Sequence, residues 1–311
     1  MHNAGRDNPP SEAEIYDYGL FLIQEVLDGH GKQLSDYHLP MPEHDWNARI
    51  GNRLIAEQLA YIPQEEAASA AQQIPLLNVE QKAAYNTIMD AVSTNQSKTF
   101  FLHGPAGTGK TFVYNTLCHS LRSQSKIVLC VASSGIASLL LQGGRTVHFR
   151  FKVPIQIHET SMCSIKKGTS LAELLKRADL IVWDEAPMQH RHIAEAINCT
   201  LKDIREDQHQ FGGLTVVFGG DFKQILPVIV KGSRAEIVGA SLTRSRLWQN
   251  MHVLFLKKNM RLGQSDADRA FAKWLQEMGT LHQMEPSNDP STGSPCYKQY
   301  SEGHRCNRRG L

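Results

Sequence analysis

At residues 98–121 a short apolar run, TFFLH, leads into GPAGTGKT (104–111) and then into a helix-compatible segment. Such a loop wraps a triphosphate in main-chain N–H donors. Glycine at positions 104, 107 and 109 permits this, because a Cβ would obstruct the close approach or the positive-φ turns. Gly104, Pro105, Ala106, Gly107, Thr108 and Gly109 therefore form the candidate cradle. Lys110 offers a cation to the β- and γ-oxygens, and the Thr111 hydroxyl can ligate Mg²⁺. The following helix aims its partially positive N-terminus at the phosphates. A glycine-rich turn that matches by chance is the competing reading. The strand before the loop and the helix after it are what a P-loop requires, so a nucleoside triphosphate with Mg²⁺ is expected.

The 311 residues, 41% of them hydrophobic, suffice to bury a substantial core in one or two domains. A formal net charge of +2 is too mild to mark a nucleic-acid binder, so such a partner has to be argued from local patches. Cysteines 118, 130, 163, 199, 296 and 306 include no C-x-x-C pair, which suits a reducing compartment better than a disulfide scaffold. The polar N-terminus lacks the apolar core of a signal peptide, and no apolar run reaches membrane-spanning length. An intracellular, nuclear protein with no membrane partner is expected.

Residues 1–75 read as a mainly helical accessory region, with helices over 11–28 and 46–61 separated by the breakers Pro40 and Pro42. Trp46 and Tyr61 are assigned packing roles there. From Leu77 the pattern becomes strands alternating with helices. Short apolar runs at 99–103, 127–132, 180–183, 214–218 and 253–256 suit a parallel sheet covered on both faces. The fold class is α/β, a RecA-like P-loop NTPase domain over 76–262, with ligands expected beyond the carboxyl ends of the strands. Residues 263–311 are read as a short helix and then a disordered tail lacking apolar periodicity. Cys296, His304 and Cys306 have the wrong spacing for a standard zinc finger.

The run LIVWDEAPM (180–188) ends a strand in two acids. Asp184 can hold the Mg²⁺ shell and Glu185 can act as general base on the attacking water. On its own the pair could equally be a solvated loop after a core strand; behind a complete P-loop, the catalytic reading is preferred. FGGDFKQILPV (218–228) ends another strand in Gly-Gly and presents Asp221 and Gln224, whose amide can both donate to a γ-phosphate oxygen and accept from water. A turn with a solvated glutamine is the alternative.

Six ordered segments carry a family resemblance: LNVEQ (77–81), GPAGTGKT, ASSGIASLLLQGGRTVHFRFKVPI (132–155), LIVWDEAPM, FGGDFKQILPV and LKKNMRL (256–262). Together they resemble the Pif-type ATP-dependent DNA helicases of superfamily one, above all the versions carried by Helitron transposons, over roughly residues 77–262. The resemblance implies an ATP-dependent 5′→3′ helicase translocating on single-stranded DNA, from a family associated with repair, recombination and telomere maintenance. It implies that Gln81 selects adenine, that Gln224 couples γ-phosphate to the motor, and that Arg261 offers its guanidinium to the γ-phosphate.

The resemblance also places single-stranded DNA on 133–151, with Ser133, Thr146, His148 and Phe151 as contacts. There hydroxyls and cations suit phosphate, and aromatic faces suit base stacking. Phe149 and Phe151 share one face of a possible strand, and core packing is the alternative for both. Helicases of this superfamily close two RecA-like domains around ATP, and 50 residues after Arg261 are too few for the second. This chain alone is therefore expected to bind ATP without unwinding DNA. A catalytically incomplete ATP- and DNA-binding remnant is the alternative function; a nucleotide-switched interaction module is disfavoured by the 133–151 and Asn-Met-Arg segments.

Overall fold

The computed structural model describes residues 11–28, 32–46, 49, 51–224, 226–261 and 274. Contacts divide the chain into Met1–Arg261 and Leu262–Leu311. The tail expected over 263–311, like Cys296, His304 and Cys306, lies outside the described residues apart from Trp274.

The N-terminal region is helical: α1 (Glu12–Asp28), α2 (Arg53–Leu59) and α3 (Pro63–Gln73). The continuous helix expected over 46–61 is broken at Gly51, whose φ of 75° leaves the helical region. Asn52 then opens α2 by accepting the Ile55 N–H on its side chain, which satisfies one of the unpaired donors of the first turn. Buried Asp17 of α1 organises this region, accepting the N–H groups of Glu43 (2.6 Å) and His44 (3.2 Å), the His44 ring (2.9 Å) and the Trp46 indole N–H (2.8 Å). Trp46 thus packs, as expected, and also donates. Tyr61 lies against the Arg122 guanidinium, 4.0 Å from ring centroid to cation.

Those donors, led by the Glu43 N–H, hold the Asp17 carboxyl down at about 2. A lowered pKa means that the native state prefers the ionised form. The stabilisation is therefore present above the ordinary carboxyl value and is lost as pH falls toward 2. Asp17→Asn is expected to speed amide exchange around Glu43–Trp46 at pH 7, with the difference from wild type closing as pH falls below about 3. A difference independent of pH would mean that the carboxylate charge is not what holds this segment.

The sheet is built from β1 (Thr99–His103), β2 (Val128–Ala132), β3 (Arg145–Thr146), β4 (Leu180–Asp184), β5 (Thr215–Gly220) and β6 (Met251–Phe255). The strands run β3-β2-β4-β5-β1-β6, every pair parallel. Five of the six were legible as apolar runs, since a strand buried on both faces has no polar alternation. β3 was not, because two residues carry no pattern. Side chains alternate between two cores. Phe101, Ile181, Trp183, Val216 and Phe218 face one, with α8 (Ser170–Arg177) and α9 (Arg191–Arg205). Phe100, Leu102, Val182 and Val217 face the other, with α4 (Val79–Ser93) and α5 (Lys110–Arg122). The RecA-like arrangement results, and the carboxyl ends of β1, β4 and β5 meet along one rim.

Candidate nucleotide site and strand-contact surface

β1 delivers the P-loop to this rim, and α5 departs from it for 13 residues. Gly107 (φ 84°) and Gly109 (φ 81°) make the turns, and a Cβ on either would collide with Asn259 or with the Gln81 amide. The Lys110 side chain is buried, its Nζ donating to the carbonyls of Gly104 (2.7 Å) and Pro105 (3.5 Å). Its ammonium is thereby held inside the curve of the loop. The first N–H groups of α5, Thr111 among them, have no acceptor within their own helix, as at any helix start, and face an incoming anion.

Gln81, to which the resemblance gives the adenine contact, lies beside the P-loop. It sits at the third position of α4, 2% exposed, with Oε1 accepting the Asn78 N–H (3.0 Å) and Nε2 donating to the Thr108 carbonyl (2.9 Å). Its amide closes a capping box on one side and braces the P-loop on the other. In this geometry both ends of the amide are engaged within the protein.

The segment after β6 fastens to the loop's outer side. Met260 N–H donates to the Gly107 carbonyl (2.7 Å), Asn259 Nδ2 to the Ala106 carbonyl (3.3 Å), and Glu80 of α4 accepts the N–H groups of Lys257 and Lys258. Arg261 stands at the end of this strap with an exposed side chain, its N–H donating to Asn259 Oδ1 (2.9 Å). Glu80, Asn259 and Met260 lie in segments that carry the resemblance but have no role of their own legible in the sequence, because each pairs with a main-chain group 150 residues or more away.

β4 ends in Asp184, 3% exposed, whose Oδ1 accepts the Glu185 N–H (3.0 Å). Glu185 takes a left-handed conformation (φ 53°), which a non-glycine residue adopts at a cost and which ends the strand abruptly. Burial pushes the Asp184 carboxyl up, against the pull of the Glu185 N–H and Lys110. Burial pushes Glu185 up as well, helped by the charges of Asp184 and Asp221 and opposed by Lys110. Asp221, 5% exposed, follows β5 and accepts the Lys223 N–H (3.0 Å). Gln224 is exposed in the turn beyond it, its N–H donating to the Asp221 carbonyl (3.1 Å).

His103 Nε2 lies 3.7 Å from Asp221 Oδ1. Its pKa is lowered, chiefly by burial, so it is neutral at neutral pH. The sequence hid it as the last residue of a strand. Lys110, Asp184, Glu185, Asp221 and His103 thus come together. Among the described residues no group of three or more His, Cys, Asp or Glu could hold a metal by itself. One hydroxyl, Thr111, and one carboxylate, Asp184, are hard oxygen donors that suit Mg²⁺, an ion usually completed by phosphate oxygens and water.

The 133–151 segment, which contains α6 (Gly135–Leu139), divides differently from expectation. Ser133 turns inward, its hydroxyl donating to the Glu185 carbonyl (2.6 Å) and accepting the Trp183 indole N–H (3.4 Å). Thr146 caps α7 (Val147–Phe151) by accepting the Phe149 N–H (3.3 Å). Because α7 is a helix and not a strand, Phe149 and Phe151 point apart by about 200° of helical rotation. Phe151 is 1% exposed and belongs to the core, which corrects its assignment as a DNA contact; Phe149 is 59% exposed. Arg145, His148 and Phe149 are exposed, and half-buried Lys152 places its Nζ 5.1 Å from the Phe149 ring centroid.

The family model of the PIF1-like helicases matches residues 76–288. The chain belongs to the PIF1-like helicase family. ATP-dependent DNA helicase Pif1 of a Psychrobacter species is 29% identical over 186 residues, covering 59% of this chain and 28% of the relative. ATP-dependent DNA helicase Pif1 of Campylobacter jejuni is 32% identical over 173 residues, covering 53% and 36%. Among solved structures, Pif1 helicase from Bacteroides in complex with ADP-AlF3 and single-stranded DNA is 25% identical with a TM-score of 0.53, covering 63% of this chain and 46% of that one. Pif1 helicase from Candida albicans gives 25% and 0.55, covering 65% and 44%. The PIF1-like chain thus spans about a third of these curated relatives and under half of these solved chains. Among its described residues no helix is long and apolar enough to cross a membrane.

Proposed function

We propose that residues 76–261 form the ATP-binding first motor domain of a nuclear 5′→3′ DNA helicase, coupling ATP hydrolysis to movement on single-stranded DNA. The observation that carries this reading is the seating of the Lys110 ammonium, 2.7 Å from the Gly104 carbonyl inside the P-loop, at the rim where Asp184 and Glu185 end β4. Lys110 would exchange its loop carbonyls for β- and γ-phosphate oxygens. Thr111 and Asp184 would hold Mg²⁺, which neutralises charge developing on the phosphates. Glu185, its carboxyl raised toward working pH, would accept the proton of the attacking water. Gln224 and Arg261 lie at the exposed ends of the β5 turn and the β6 strap, where each could reach a γ-phosphate as a second domain closes. The Bacteroides relative was solved with ADP-AlF3 and single-stranded DNA, which supports both ligand classes.

On the DNA side, Thr146, His148, Phe149 and Lys152 would hold the strand, with Phe149 in the stacking role first given to Phe151. Ser133 would link that surface to the backbone of Glu185 through its 2.6 Å hydrogen bond. Fluorescence anisotropy with a labelled oligothymidylate tests this part. A His148→Ala/Phe149→Ala double variant is expected to bind at least about 10-fold more weakly, since each stacked base contributes roughly 1–3 kcal/mol. Phe151→Ala is expected to lower the melting temperature instead. Unchanged strand binding by the double variant would overturn the assignment.

A further inference from the structure

Tyr114 lies one helical turn beyond Lys110 on the same face of α5, and its side chain is fully buried. Its hydroxyl has no hydrogen-bond partner in the protein. That hydroxyl fills the space over Gly219 of β5 where any Cβ would stand, and Asp184 Oδ1 lies 3.6 Å from the same point. Gly219 has no positive φ, so glycine is required there for room alone, and the room is taken by the phenol oxygen. Asp184 and Glu185 both act on this group electrostatically.

A buried hydroxyl without an acceptor costs free energy, and phenylalanine would fill the same space without that cost. The O–H therefore points to an acceptor gained in another state. The candidate beside it is Asp184, one of whose oxygens is already tied to the Glu185 N–H. We propose that Tyr114 is a positioning residue for the metal–nucleotide site, its hydroxyl donating to the Asp184 carboxylate, directly or through one water, when that carboxylate turns to the Mg²⁺ shell. This rests on the reading of the P-loop as an ATP·Mg²⁺ site. Partners of this kind orient the groups that ligate a metal, and losing one weakens metal affinity about 10- to 100-fold.

The test titrates Mg²⁺ into wild type and Tyr114→Phe at fixed fluorescent ATP analogue, following nucleotide binding and not turnover. The Mg²⁺ concentration at half-maximal binding is expected to rise about 10-fold in the variant. Binding of the analogue in EDTA should be unchanged, and the ligand-free melting temperature unchanged or higher, because an unpaired buried hydroxyl has been removed. An unaltered Mg²⁺ midpoint overturns the proposal. So does a lower ligand-free melting temperature with affinity lost equally with and without Mg²⁺, which would make Tyr114 a spacer. Failure of the wild-type chain to bind the analogue with Mg²⁺ would remove the nucleotide reading itself, a result distinct from both.

Discussion

Lys110→Ala is expected to remove most of the stabilisation that ATP with Mg²⁺ confers. A ligand that binds only the folded state stabilises it by mass action, by about 2.7 kcal/mol at a hundredfold excess over its dissociation constant. For a folded unit of this size that raises the melting temperature by several degrees, well within the reach of a thermal-shift measurement. The variant should fold normally, because the Lys110 side chain donates only to carbonyls of its own loop, Gly104 and Pro105. The loop is braced independently through Thr108, Ala106 and Gly107 by Gln81, Asn259 and Met260. What alanine removes is the one cation inside the loop, which is also the charge that Asp184 and Glu185 feel. A wild-type melting temperature indifferent to saturating ATP and Mg²⁺ would refute the nucleotide site.

Glu185→Gln is expected to lower ATP hydrolysis by about 10²- to 10⁴-fold while leaving ATP affinity close to wild type. Glutamine keeps the size and much of the hydrogen bonding of the side chain but cannot accept the water's proton. The backbone contacts of residue 185, the N–H to Asp184 and the carbonyl from Ser133, do not involve its side chain and survive. Asp184→Ala should fail in another way, by weakening the dependence of binding on Mg²⁺, because it removes the buried oxygen donor. Single-turnover hydrolysis beside equilibrium binding separates the two. Equal loss of ATP affinity in both variants would sink the division of roles.

The sequence by itself determined the P-loop, the two strand-end acids and five strands of the sheet. Each is written in contiguous residues whose spacing is their chemistry. A loop that must wrap phosphate needs its glycines, lysine and threonine within eight positions, and a strand covered on both faces must be an apolar run. Tertiary structure decided what depends on partners distant in the chain. Whether Gln81 faces a ligand or the Thr108 carbonyl depends on where α4 lands against the loop. Which of Phe149 and Phe151 is exposed turned on a short helix replacing a strand, a difference of period invisible in five residues. In the strap, the Asn259 side-chain amide donates to the Ala106 carbonyl 153 residues away and the Met260 N–H to the Gly107 carbonyl, and a main-chain acceptor leaves no mark on residue type. The fit of the Tyr114 hydroxyl over Gly219 exists only because α5 packs on the carboxyl end of β5: two residues unremarkable apart share one small volume, and volume is a property of the packed chain.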